Sequence, residues 1–199
     1  MSPTFARTCV VLLALALPSA AHALSLSPRL AYSLVIEDGP PGTDDTATGS
    51  RLSLGVGVGV PLLSVVADLG FRKAAVSSPS DGWTEYGTDD TTFTVGLRSK
   101  LTVLPLFDVA AELHAGRSWA DHTAKAVEEV VVTASDDAYF LYGGAAEVSY
   151  RLTKQLSLGV RVGADRFEPF GTEERKSSRF ETDFARTSYT AGILLGLGL

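Results

Sequence analysis

The chain has little of what usually carries chemistry. Its 199 residues include one cysteine, one methionine and three histidines. The single cysteine, Cys9, lies close to the start, so a disulfide framework or a cysteine-based redox or metal motif is not available to the rest of the chain. Beyond the first two dozen positions, no segment approaches the roughly 20 uninterrupted apolar residues of a transmembrane helix. Basic clusters are also missing. The formal net charge is −6 and no patch of lysine and arginine stands out, which argues against nucleic acid as a partner. No cofactor motif and no metal-ligand spacing is present, so none of either is expected.

The first residues carry a different signal. Arg7 supplies a positive charge, Cys9 to Leu17 forms an apolar core too short to span a bilayer, and Ala21-His22-Ala23 places small residues at a cleavage site. This arrangement reads as a secretory signal peptide over residues 1–23, leaving one domain over 24–199. That domain lacks cysteine, so its stability must come from strand pairing and burial.

Eight stretches of alternating apolar and polar residues follow. The second is the clearest: Leu52, Leu54, Val56, Val58 and Val60 share one parity, and Arg51, Ser53, Gly55, Gly57 and Gly59 the other. Successive side chains on a strand point to opposite faces, so each stretch is a two-faced strand. Four residues break the pattern. Arg117 and Ser99 fall on the apolar parity, and Val66 and Leu194 on the polar one.

The gaps between stretches alternate long and short. The long ones run from Asp38 to Thr48, Lys73 to Asp90, Ala120 to Asp137 and Glu168 to Arg179; the short ones fall near Pro61–Leu62, Leu104–Leu106 and Thr153–Gln155. A meander with large loops at one end and tight turns at the other has two different environments at its two ends. The expected fold is all-β: an eight-stranded antiparallel up-and-down transmembrane β-barrel, with long loops outside the cell and short turns in the periplasm. An open sheet edge cannot survive in lipid, so the sheet must close.

Alternation alone does not say which face is inside, and a soluble ligand-binding barrel would bury the apolar one. Three features favour the membrane. The polar face is glycine-rich and carries both signs of charge in mid-strand. The apolar face is almost free of charge. Aromatics of apolar parity (Phe71, Phe93, Trp119, Phe140 and Tyr142) cluster near the long loops, like an interfacial girdle.

The polar face is therefore the lumen. Arg98, Lys100, Asp108, Glu112, Glu147, Arg161, Asp165 and Arg186 are expected to form a structural charge network inside it. Centring one short turn on Lys154 sets Glu147 opposite Arg161, and centring another on Leu104 sets Lys100 opposite Asp108.

The signal segment, the eight patterned strands and the C-terminal stretch from Thr190 to Leu197 resemble the small outer-membrane β-barrel proteins of Gram-negative bacteria, including the OmpA-type transmembrane domain. That resemblance implies a place in the outer membrane and the insertion machinery as a partner, together with membrane lipids and lipopolysaccharide. Its C-terminal assembly signal often ends on an aromatic residue, whereas this chain ends on Leu199.

Some barrels of this kind are lipid A-modifying enzymes. Glu112, His114 and Ser118 share the lumen parity and supply the types for a Ser/His/acid set. The lipid A deacylases, however, present a His-x-Ser arrangement on the lipid face, and here residue 116 is glycine. A lumen histidine hydrogen-bonded to a carboxylate is the better account of His114. His122 beside Asp121, and the pairs Asp44-Asp45, Asp89-Asp90 and Asp136-Asp137, are read as solvated loop residues.

In the loops, Pro40-Pro41-Gly42 and Ser77 to Gly82 are turn-forming, Trp83 and Tyr86 are candidate anchors for an extracellular partner, Val127 to Val132 is a candidate extension of its hairpin, and Glu173 to Lys176 is a mixed-charge turn. The expected role is a non-enzymatic outer-membrane protein, structural or acting through its outer loops. The alternatives are a narrow channel or carrier exploiting lumen gaps at Gly55, Gly57, Gly159 and Gly163, a membrane enzyme, and a soluble ligand-binding barrel.

Overall fold

The computed structural model describes residues 25–39, 44–60, 62–76, 83–126, 131–170 and 185–198. The stretch over residues 1–23 read as a signal peptide, the turns expected at 40–42 and 77–82, residues 127–130 of the third loop, the mixed-charge turn expected at 173–176 and the final leucine lie outside them. The strands are β1 (Ser25–Asp38), β2 (Thr46–Val60), β3 (Leu63–Val76), β4 (Trp83–Leu104), β5 (Phe107–Ala126), β6 (Val131–Arg151), β7 (Leu156–Pro169) and β8 (Arg186–Leu197). Each pairs antiparallel with its neighbours in sequence, and β8 pairs with β1 to close the barrel.

Closure leaves the sheet without an open edge, the condition for crossing lipid with strands. The faces follow parity. Leu54, Val58, Val160 and Leu195 point outward and are exposed, whereas Glu112, Glu147 and Asp165 are buried inside. The five girdle aromatics (Phe71, Phe93, Trp119, Phe140 and Tyr142) are all on the outer surface. The exceptions are literal: Val66 and Leu194 are buried in the lumen, while Arg117 and Ser99 face outward. A soluble barrel with an apolar interior is excluded by this polarity.

The short connections behave as two environments require. Glu147 pairs directly with Arg161 across the β6–β7 hairpin. The β4–β5 hairpin differs from expectation: Asp108 pairs with Thr102 rather than Lys100, and the register shifts between Thr102 and Leu104. Pro105 and Leu106 form the turn. Proline suits a turn and cannot donate to a ladder, so the hairpin centre moves toward Pro105.

At the other end the strands outrun the sequence pattern. β4 begins at Trp83, β5 continues to Ala126 and β6 begins at Val131, so the gaps expected from Lys73 to Asp90 and from Ala120 to Asp137 are largely paired strand. Above the girdle the outward positions become polar, with Lys73 3.3 Å from Asp89. Alternation by hydropathy fades once the outer face meets water, though the ladder goes on. Inside this extension Ala47, Ala74, Val76 and Tyr86 form one small core and Ala120, Tyr139, Leu141 and Phe167 another. Tyr86 thus packs inward instead of standing free as an anchor.

Val160 lies on the lipid face in mid-strand, whereas Ser157 lines the roomier turn end of the lumen. Val160→Arg is expected to cost about 2–4 kcal/mol and Ser157→Arg less, read by urea unfolding from lipid vesicles. Equal losses would contradict the assigned faces.

Candidate functional site

The lumen is filled in tiers. At the turn end, Arg151 Nε donates to Asp108 Oδ2 at 2.9 Å and its Nη2 to Oδ1, while Thr102 Oγ1 donates to Asp108 at 2.7 Å. Lys100 stands at the margin, 4.0 Å from Asp108 and part exposed. Asp108 is therefore held mainly by Arg151, a partner brought by β6 rather than by the hairpin neighbour.

The middle tier joins three arginines to three carboxylates. Arg29 forks onto Asp68 and also donates to Glu112 at 2.6 Å. Arg98 donates twice to Glu147 Oε2, at 2.9 and 2.6 Å. Arg161 reaches Glu147 at 2.7 Å and Glu112 at 3.1 Å. Glu147 and Glu112 are buried, and paired arginine forks satisfy their lone pairs as a low-dielectric site requires.

Above it, His114 Nε2 lies 2.7 Å from Asp165 Oδ1, with Nδ1 3.2 Å from Glu112, and Arg51 donates to the other Asp165 oxygen at 2.8 Å. The upper tier is the driest. Arg72 binds both Glu37 and Asp90, and Arg186 donates to Asp90 at 2.6 Å. Both guanidinium groups stand over the Phe167 ring, at 4.4 and 4.6 Å, and Arg186 also over Tyr139 at 4.6 Å. Ser118 donates to Asp90 at 3.0 Å. His122 Nε2 lies 3.0 Å from the Tyr139 hydroxyl. Arg186, Tyr139, Leu141, Phe167, Ser118 and His122 are almost wholly inaccessible to solvent.

The structure brings Arg98, Glu112, Glu147 and Arg161 into one cluster, sets Asp165 just above and Arg186 in the upper tier, and leaves Lys100 and Asp108 at the turn end. Sequence reasoning left out Arg29, Glu37, Arg51, Asp68 and Arg72, although all have lumen parity. Lumen parity was the available signal for each of them. Asp90 escapes the parity reading for another reason: beside Asp89, it reads as part of a solvated loop. In strand β4 the two point apart, Asp89 to Lys73 outside and Asp90 to Arg72 and Arg186 inside. His122 is corrected likewise, being buried beside Thr88 and Tyr139 while Asp121 faces out.

Of the glycine positions named as lumen gaps, Gly55 and Gly159 are closed off by their neighbours, whereas Gly57 and Gly163 line small spaces. A Cβ at Gly55 would collide with Asp68 Oδ1 and fall 3.0 Å from Arg29 Nε, so this glycine makes room for the Arg29–Asp68 fork. At Gly159 it would meet the Ser149 side chain at 2.8 Å. Space remains at two levels of the lumen among the described residues. A cavity of about 110 Å³ opens at the turn end near Arg98, Lys100 and Arg151; another, about 20 Å³, lies beside His114 and Asp165. No group of three or more His, Cys, Asp or Glu able to hold a metal occurs among the described residues.

No protein-family profile and no curated protein matches the sequence. Solved structures do match. Neisserial surface protein A superposes with a TM-score of 0.59 at 9% identity, over 85% of this chain and 95% of that one. It has the fold of the small outer-membrane β-barrels. OprG from Pseudomonas aeruginosa matches with a TM-score of 0.52 at 12% identity, over 89% and 96% of the two chains. A major outer membrane protein of Thermus thermophilus gives 0.51 at 13%, over 85% and 99%. With an apolar outer face and a charged interior, the protein is a transmembrane barrel of outer-membrane type.

Glu147 meets three arginines. Glu147→Gln is expected to cost about 3–5 kcal/mol, because it leaves half-buried arginines around a buried site short of a counter-charge. Adding Arg161→Met should recover part of that loss. Additive losses in a double-mutant cycle on urea unfolding would mean that the two side chains do not interact.

Proposed function

We propose that the protein is a non-enzymatic, integral outer-membrane barrel. Its charged lumen is a structural plug, and its contacts with other molecules are made at the outer surface, through the loops and the surrounding lipid. The observation that carries this reading is the dry upper tier, where Arg186, Tyr139, Leu141 and Phe167 close the lumen above the ion pairs. Side chains fill an eight-stranded barrel of this width, and the two tiers directly below include arginine–carboxylate contacts between strands that are not neighbours in the sheet, Arg29 with Glu112 and Arg51 with Asp165.

Two rivals are less well supported. A channel or carrier needs a continuous path, and the larger space lies at the turn end, below the middle tier. A hydrolase needs a histidine beside a nucleophile. His114 is instead engaged with Asp165, and Ser118 is engaged with Asp90. Lipopolysaccharide, the insertion machinery and an extracellular partner are proposed as the contacts of such a protein.

In planar bilayers the full chain is expected to insert without discrete conductance steps. Regular steps accompanying most insertions would overturn the plugged-lumen reading. The variant Arg186→Ala, which opens the driest tier, is the matched control for leakage.

A further inference from the structure

Arg117 is the misfit of the lipid face. It lies on the outward parity of β5, paired laterally with Phe93 of β4 and Phe140 of β6, two residues from Trp119. All three aromatics are exposed on the outer surface at the girdle. The guanidinium carbon stands 5.2 Å from the Trp119 ring centre and 5.4 Å from that of Phe170. Phe170 in turn packs edge-on against Phe140, with ring centres 6.3 Å apart. A cation is thus held in an aromatic setting where the membrane changes from acyl chain to headgroup.

An arginine exposed to lipid is unfavourable unless its charge is met. Aromatic faces attract the guanidinium, yet they leave its N–H donors unanswered by any oxygen. Among the described residues no carboxylate pairs with Arg117. The acid in the same lateral row, Glu168 opposite Phe140, is already paired with Arg166 at 2.8 Å. The site therefore offers a planar set of donors at headgroup depth, with the acid of its lateral row neutralised.

We infer that Arg117, with Trp119 and Phe170 as its shelf, binds a phosphate group of a lipid headgroup in the outer leaflet. A guanidinium fork matches phosphate oxygens in two parallel hydrogen bonds. Phe93 and Phe140 lie beside it, where acyl chains descend from such a headgroup. The inference deepens the proposed lipid contact and rests on the transmembrane reading. It assigns the contact to one residue and one chemical group.

The test uses the full chain in phosphatidylcholine nanodiscs, carrying Trp83→Phe so that Trp119, of the two tryptophans in the sequence, alone reports. Diphosphorylated lipid A is titrated in, with fully dephosphorylated lipid A and inorganic phosphate as separate arms. A saturable change in Trp119 emission is expected with the phosphorylated lipid only. Arg117→Gln should raise its half-saturation about tenfold, the loss of roughly one charge-assisted contact, and Arg117→Lys should fall between. An equal response to the dephosphorylated lipid, or an unchanged titration in Arg117→Gln, overturns the inference. So does the full response from inorganic phosphate alone, which would make the site one for free anions. If Arg117→Gln does not fold, the comparison of the two lipids on the chain retaining Arg117 still decides. Insertion into the nanodisc is scored separately by retained barrel migration on cold gels; failure there would strike the transmembrane reading itself.

Discussion

Lipid cannot hydrogen-bond to a backbone, and the rest of the structure depends on that. Strands can cross the bilayer only if every edge is paired, so β8 must return to β1. With eight strands the enclosed space is narrow. Polar side chains turned away from lipid are then packed against one another with little water, and each charge needs an opposite charge close by. The tiers of arginine and carboxylate are the consequence of closing a small sheet around a polar face.

The upper tiers include contacts between strands that never pair. Arg29 of β1 meets Glu112 of β5, and Arg186 of β8 meets Asp90 of β4. Hairpin contacts can form early and locally, whereas these cannot exist before the two ends of the sheet meet. Replacing such pairs with apolar residues of the same volume is often tolerated elsewhere. What the ion pairs add here is a unique register: a slip of one residue in a strand would turn that strand's lumen charges toward lipid.

Much of this was legible in the amino-acid order, and what was not has a physical reason. Two-residue periodicity revealed the strands, the faces and the Glu147–Arg161 register because lipid on one side and a charged lumen on the other make the alternation extreme. It failed where the outer face leaves the bilayer. There Asp89 and Asp121 are outward yet as polar as their inward neighbours Asp90 and His122, so strand reads as loop. Lateral pairing was recovered where a turn is symmetric and lost at Pro105, where a register shift intervenes. Contacts across the lumen, such as Arg29 with Asp68, depend on shear and side-chain length, which parity does not encode. Arg117 was visible as an exception from the start, but its aromatic shelf required Phe170 to be brought beside it.

The match of charges in the upper three levels has an electrical consequence. Six arginines (29, 51, 72, 98, 161 and 186) stand against six carboxylates (37, 68, 90, 112, 147 and 165), all with side chains at most 16% exposed. A voltage acts on displaced net charge, at about 2.3 kcal/mol per elementary charge for each 100 mV. Within this column each cation is tied to an anion at nearly the same depth, so sliding the column as a whole would transfer no net charge from these twelve groups. The barrel sets a dozen charged side chains across the bilayer, and these twelve present almost no lever for an electric field to pull.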